Sequence, residues 1–334
     1  MRRALAGVLF AVAFPQGSLA APAGFAPIAV RTIPIATFLA GDAETHFGSL
    51  EFRGGLELVS RDGAFGALSG LDFAADGKTL YAVADTGFWF AARLIEQDGR
   101  PVGLEDAKLA AMLGGDGKPP ATKAANDAEG LRLIHDEDGG DKALVSYEQT
   151  VAVRAFAGPD VAGATPKRLT LPKFVKGLRR NQGLEAIAVA PAVGALGGAT
   201  VVIAERSLDA AGNHRGFILS GPKTGAFTLR RSDDFDVSDA VFLPDGDLLV
   251  LERRFSFSAG FAMRIRRIAV GDIRPGALVD GPNLIEADDR NQIDNMEGLA
   301  VRLAENGETL LTLVSDDNHN LLQRTLLLQF ALKP

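Results

Sequence analysis

The chain has no cysteine, which excludes a disulfide framework, a thiolate metal site, a cysteine nucleophile and a lipid-anchoring cysteine behind an export signal. Tyrosine and tryptophan are nearly absent, 2 and 1 against 20 phenylalanines. Surface stacking platforms for bases or sugars are therefore scarce, and the phenylalanines are expected in a core. The charge balance is −7 with no basic stripe, which argues against nucleic acid as a partner. No P-loop or Rossmann glycine pattern follows a strand. Gly66-Ala-Leu-Ser-Gly70 has the wrong spacing for a serine nucleophile elbow. The four histidines, His46, His135, His214 and His319, are far apart and form no metal-ligand motif.

The longest early apolar run, Ala4 to Phe14, follows Arg2 and Arg3 and precedes Pro15 and the small-residue site Ser18-Leu19-Ala20. It is too short to span a bilayer and reads as a secretory signal. Residues 1–20 are accordingly expected to be cleaved after Ala20, giving a soluble periplasmic or secreted protein with no membrane span. Residues 21–45, rich in Ala and Pro, read as a leader that becomes ordered only near Phe47, and residues 46–334 as the folded domain.

What is present is a repeat. Leu68-Ser-Gly-Leu-Asp-Phe and Thr79 to Asp85 flank Asp76-Gly77; Asp127 to Ile134 and Ala143 to Glu148 flank a polar turn. Gln182 to Ala190 pairs with Thr200 to Arg206, and Val237 to Leu243 with Leu248 to Arg253 across Pro244-Asp-Gly246. Asn295 to Leu303 pairs with Glu308 to Asp317 across Asn306-Gly307. An Asp-Gly or Asn-Gly between two apolar runs predicts a hairpin. Aligning Ser69, Glu129, Glu185, Asp239 and Glu297 gives intervals of 60, 56, 54 and 58 residues. All-strand units of that length predict an all-β propeller with five blades and room for a sixth, degenerate one. A two-sheet sandwich accounts for the strands but not for their spacing. The last unit runs out of chain, so Leu50 to Arg53 or Leu56 to Val59 is expected to supply its outer strand and close the ring. Leu104 to Met112 and Pro172 to Leu178 read as short helices.

In a propeller the start of each inner strand and the end of the next lie on one face. That places Glu129, Glu185, Asp239 and Glu297 at the mouth of the channel and Asp85, Glu148, Glu205, Glu252 and Asp316 in a ring outside them. Asp and Asn favour strand ends on backbone grounds alone; Glu does not, and it recurs at 129, 185 and 297. So many carboxylates on one face need cations, arginines or protons to offset their repulsion. Oxygen-only donors without cysteine suit Ca²⁺, with Glu129, Glu185, Asp239 and Glu297 as its ligands. The amides Asn126, Asn181, Gln182, Asn291, Gln292 and Asn295 crowd the same positions. Arg206 and Arg253 are candidate substrate-binding residues, their guanidinium groups matching phosphate oxygens with paired donors, and His319 on the same face is a third.

The blocks Asn126-Asp-Ala-Glu-Gly-Leu, Asn181-Gln-Gly-Leu-Glu-Ala, Phe235-Asp-Val-Ser-Asp-Ala, Asp294-Asn-Met-Glu-Gly-Leu and Ser315-Asp-Asp-Asn with Gln323-Arg-Thr-Leu-Leu resemble the phytase-like family, "esterase-like activity of phytase". His319 departs from the aromatic expected after the Asp-Asp-Asn run. The resemblance implies an exported bacterial β-propeller and phosphoester or ester hydrolysis; well-studied propeller phytases, similar in architecture, hold several calcium ions on an acidic face. The expectation is a monomeric, metal-assisted hydrolase of phosphate monoesters or small esters. The alternative is a non-catalytic scaffold whose acidic mouth binds a cationic ligand or a partner protein.

Overall fold

Hairpin turns set the architecture. Gly77, Gly246 and Gly307 take φ of +62°, +98° and +84°, the left-handed conformation that the second half of a tight turn requires and that only glycine adopts cheaply. The apolar runs on either side then pair antiparallel. The computed structural model describes residues 24–135, 142–158, 161–179 and 182–333, so the signal, the polar turn at 136–141 and Asn181 lie outside the described residues.

Five antiparallel sheets form the blades of a propeller. From the centre outward, blade 1 holds Leu68–Phe73, Thr79–Ala84, Phe88–Gln97 and Arg100–Ala111, with Ala26–Pro27 at its edge. Blade 2 holds Ala128–Ile134, Lys142–Tyr147, Ala152–Ala157 and Lys167–Arg168. Blade 3 holds Leu184–Val189, Thr200–Ala204, His214–Ile218 and Gly225–Leu229, edged by the parallel Leu278–Val279. Blade 4 holds Asp236–Phe242, Leu248–Ser256, Gly260–Ile268 and Asn283–Asp288. Blade 5 begins with Asn295–Leu303, Thr309–Asp316 and Thr325–Leu332.

The expected closure is found. Leu50–Ser60 pairs antiparallel with Thr325–Leu332, from Leu58 opposite Thr325 to Leu50 opposite Leu332, so both candidate segments lie on one strand. Val30–Ile35 then covers that strand. The segment read as a leader is thus structured well before Phe47. Its Pro34 sits in the outermost strand of the sheet, where a missing N–H is tolerated. Leu104 to Met112 also departs from the reading: its helix-forming residues are almost all in strand Arg100–Ala111, where pairing with Phe88–Gln97 overrides propensity. Pro172 to Leu178 forms turns and loop. No helix among the described residues is long and apolar enough to cross a membrane.

The core is divided between blades. Five apolar clusters lie at the interfaces of neighbouring sheets, including a phenylalanine group of Phe38, Phe52 and Phe330 and the buried pair Trp89 and Phe156. At the axis, with only five blades, inner strands approach too closely for side chains. A Cβ on Gly70 would stand 2.4 Å from the Glu129 carbonyl oxygen, and one on Gly298 3.2 Å from the Gly70 Cα. Gly70→Ala is expected to cost roughly 2–3 kcal/mol, because the obstacle is backbone and cannot rotate away; urea unfolding measures it.

Candidate functional site

Each inner strand begins with the same irregularity. The pairing register skips one residue after Leu68, Leu184, Val237 and Met296, and it shifts again beyond Ala128. The skipped residues are Ser69, Glu185, Ser238 and Glu297, with Glu129 in the corresponding place in blade 2. A bulge of this kind re-aims one side chain. On the return strands, the residue just beyond the partner of that apolar residue is Asp85, Glu148, Glu205, Arg253 and Asp316 in turn.

This register corrects blade 4 by one residue in both rings. Ser238, not Asp239, is the counterpart of the glutamates, and its hydroxyl donates to the Met296 carbonyl at 3.0 Å. Asp239 lies one step down the channel, fully buried, beneath the mouth. Its carboxylate accepts from Arg132 Nη2 at 2.9 Å and from the Leu299 and Ala240 N–H groups, both at 2.8 Å. It is therefore a structural plug and not a ligand at the mouth. Likewise Glu252 points into its blade, gripped by Arg264 Nε and Arg266 Nε, both at 2.7 Å. Arg253 takes the ring position expected for Glu252.

The mouth opens on a cavity of about 690 Å³. Asp85, Asp127, Glu129, Glu148, Glu185, Glu205, Glu297 and Asp316 line it, with Lys123 and Arg253 as the only cations in the wall among the described residues. Lys123 Nζ donates to Asp85 Oδ2 at 2.8 Å. Arg253 reaches across from blade 4, donating from Nε to Glu297 Oε2 at 2.8 Å and from Nη2 to Glu205 Oε1 at 3.5 Å. Asn295 Nδ2 donates to the other oxygen of Glu297 at 2.8 Å.

The acids also crowd one another, the Arg253 contact to Glu205 notwithstanding. Asp127, Glu129 and Glu148 form one group and Glu148, Glu185 and Glu205 a second, each able to bring one oxygen per residue within 4.8 Å of the others. Glu148 belongs to both. Burial is the main cause that displaces these carboxyls upward. Glu129 and Glu185 are pushed well above the usual range, with their acidic neighbours adding to it. Glu148 rises to about 8, by burial and then by the Glu205 charge. Glu297 rises only to about 7, because Arg253 opposes its burial, and Asp316 rises to about 7 by burial and the Glu297 charge. Asp127 Oδ2 and Asp85 Oδ1 are buried with no hydrogen-bond partner. Buried acceptors without donors, in an all-oxygen set, are what a hard cation satisfies.

Of the four predicted ligands, Glu129 and Glu185 stand in these groups, Glu297 is engaged by Arg253 and Asn295, and Asp239 is in the plug. Glu148 and Glu205, read as outer acids, join the groups. Asp127 was missed as a site residue although it lies within the Asn126-Asp-Ala-Glu block. Arg206 is not in the cavity wall; its Nε donates to Asp236 Oδ2 at 2.6 Å. His319 is exposed on the loop after Asp316, where its N–H donates to Asp317 Oδ1 at 3.0 Å. The flanking Asn318 and Asn320 line the cavity instead. His214 is buried against the Glu205 and Phe235 carbonyls. Asn126, Asn291 and Gln292 are engaged with Pro120, Asp288 and Arg324.

Fold and site together define a five-bladed β-propeller with an acid-lined mouth. The sequence matches the family described as "Phytase-like: Esterase-like activity of phytase" over residues 63–319, and the chain belongs to that family. A comparison with curated protein sequences gives no match. Among solved structures, the chain is similar to a Thermus thermophilus protein described as a putative oxidoreductase (glucose dehydrogenase). The identity is 14%, with 90% of this chain and 99% of that one covered, at a TM-score of 0.34.

Proposed function

We propose that this protein is an exported, metal-assisted hydrolase of phosphate monoesters or small esters, with calcium as the cation. The observation that supports it most is the pair of three-carboxylate groups sharing Glu148, beside the unpartnered Asp127 Oδ2. Asp127, Glu129, Glu148, Glu185 and Glu205 would hold the metal. A hard dication bound there supplies charge neutralisation for a phosphoryl or acyl oxygen and lowers the pKa of water. Arg253 keeps Glu297 and Glu205 fixed in place. Glu297 and Asp316, displaced to about 7 mainly by burial, are carboxyls of the cup suited to exchanging a proton near neutral pH.

Calorimetry with Ca²⁺, paired with p-nitrophenyl phosphate and p-nitrophenyl acetate turnover before and after chelation, tests the reading. Glu148→Gln, which removes a donor from both groups, is expected to weaken calcium binding roughly 100-fold and to abolish chelator-sensitive turnover. Absence of calcium binding together with absence of chelator-sensitive turnover would sink the proposal.

A second reading is favoured by the arginines. Arg206 is held by Asp236 and Arg253 by Glu297 and Glu205, which leaves no free guanidinium for an anion in the wall among the described residues. A non-catalytic scaffold taking a cationic ligand or partner would use such a cup directly. Saturable spermidine binding without turnover of either ester selects it.

A further inference from the structure

Large apolar side chains are exposed on two of the loops that frame the mouth. The blade 4 hairpin is extended: Leu248–Ser256 pairs with Gly260–Ile268 through nine rungs, ending at Phe255 opposite Phe261 and Ser256 opposite Gly260. That extension carries three aromatic rings past the acidic cup. Phe255 and Phe261 line the same cavity as the carboxylates, with ring centroids 4.8 Å apart. Phe257, at the tip, is fully exposed and meets Phe255 edge-on at 5.4 Å. On the neighbouring blade 5, the loop after Asp316 places Asn318, Asn320 and Gln323 in the cavity wall and leaves Leu321 and Leu322 103% and 91% exposed.

The distribution is uneven. Among the described residues, Phe255, Phe257, Leu321 and Leu322 are half of the eight exposed large hydrophobics, the others being Val102, Val193, Leu278 and Leu303. Exposed apolar residues scattered singly need no explanation, whereas a group of them around a pocket marks a recognition surface. The hairpin is also firmly rooted. Just below the rings, Glu252 is buried between Arg264 and Arg266, and the Arg264 and Arg254 guanidinium groups lie over Phe235 at 4.4 and 4.6 Å. The rings therefore stand on a rigid ribbon, so a ligand need not order it.

We infer that the mouth selects amphiphilic ester ligands: the anionic group enters the carboxylate cup with its cation, and an aryl or acyl group packs against Phe255 and Phe261. The inference rests on the proposed cation site for the anionic half alone. The apolar half follows from the rings sharing one cavity with the acids. Fully hydroxylated polyphosphates, with no apolar face, would leave the rings uncovered and bind less well.

Non-hydrolysable phosphonates separate the two halves. With saturating Ca²⁺, 1-naphthylphosphonate is expected to bind roughly tenfold or more tightly than methylphosphonate by calorimetry. In Phe255→Ala and Phe261→Ala that preference should fall to about threefold or less with calcium affinity unchanged; thermal stability is expected to stay unchanged in Phe255→Ala and to drop in Phe261→Ala, because Phe261 packs against the core between blades 4 and 5. Because Phe255 is half exposed, its removal leaves the fold intact; Phe257→Ala, fully exposed, is the second variant. Equal affinities for the two phosphonates in the wild type, or a preference unaltered in both Phe255→Ala and Phe261→Ala, would overturn the inference. A naphthyl preference that persists in chelator keeps the inference and removes the metal reading. No binding of either phosphonate removes both. Vesicles containing phosphatidic acid distinguish a lipid from a soluble ester as the source. Calcium-dependent co-sedimentation lost in Phe257→Ala and Leu321→Ala supports a lipid; naphthylphosphonate binding without co-sedimentation supports a soluble ester.

Discussion

Arg132→Met is expected to lower the unfolding free energy by about 3–5 kcal/mol, the cost of leaving a buried charge without its partner. Arg132 is buried at the axis and donates to the Leu71 and Leu299 carbonyls at 3.1 Å each, to the Leu131 and Ala240 carbonyls, and to Asp239 at 2.9 Å. Those acceptors belong to the inner strands of blades 1, 2, 4 and 5. One side chain thus joins four of the five strands that would otherwise meet across an empty axis. Asp239 completes the junction by accepting from the Leu299 N–H of the neighbouring blade. Removing the guanidinium strands Asp239 and several carbonyls together. Asp239→Leu in the same chain should restore much of the loss, since an apolar pair of similar volume avoids the desolvation of both ions. Urea midpoints with unchanged m-values would establish the effect. Arg132→Met within about 1 kcal/mol of wild type would show that the axis is held by the strands alone.

The same pair marks the limit of what the sequence makes legible. The hairpins could be read because turn chemistry and alternation are local, and ring closure could be read because one blade visibly lacked a strand. Blade 4 was misread because Val237-Ser238-Asp239-Ala240 offers two polar residues in succession, and Asp239-Ala240 imitates Glu185-Ala186. The apolar residue before the bulge was the better guide: Leu68, Ala128, Leu184, Val237 and Met296 align, and they put Ser238 and Arg253 in the rings. Arg132 carried no local signal at all. It sits mid-strand in Leu131-Arg132-Leu133, where alternation assigns it to solvent; only the closed ring turns that face inward. The strands at 26–27 and 30–35 were hidden for the opposite reason, since edge positions impose little pattern. The aromatic crest at 255–261 was hidden because Phe reads as core until the hairpin is seen to overrun its blade.

In chelator, the thermal midpoint is expected to fall as pH rises from about 5 to 8, by roughly 10 °C, and calcium is expected to remove most of that slope. The sign follows from the direction of the shifts. Glu148, Glu185, Glu129, Glu297 and Asp316 all have folded-state pKa values above their ordinary ones, chiefly by burial. Asp239 joins them at about 6, because burial outweighs its bond to Arg132. Between the ordinary carboxylate range and about 8, the folded chain therefore binds more protons than the unfolded one, so stability declines with rising pH. Each unit of displacement corresponds to about 1.4 kcal/mol. The cup loses its protons as an interacting set, so a combined loss on the order of 4 kcal/mol, and about 2–4 °C per kcal/mol, leads to that figure. A dication replaces those protons and binds only the folded cup, which opposes the decline most where the carboxyls are most ionised. Glu148→Gln should flatten the chelator curve and also blunt the calcium response, because the residue belongs to both three-carboxylate groups. A midpoint independent of pH in chelator would mean that Arg253 and Lys123 already balance the cup. A midpoint that falls with pH but ignores calcium would mean that the acids hold protons and no metal.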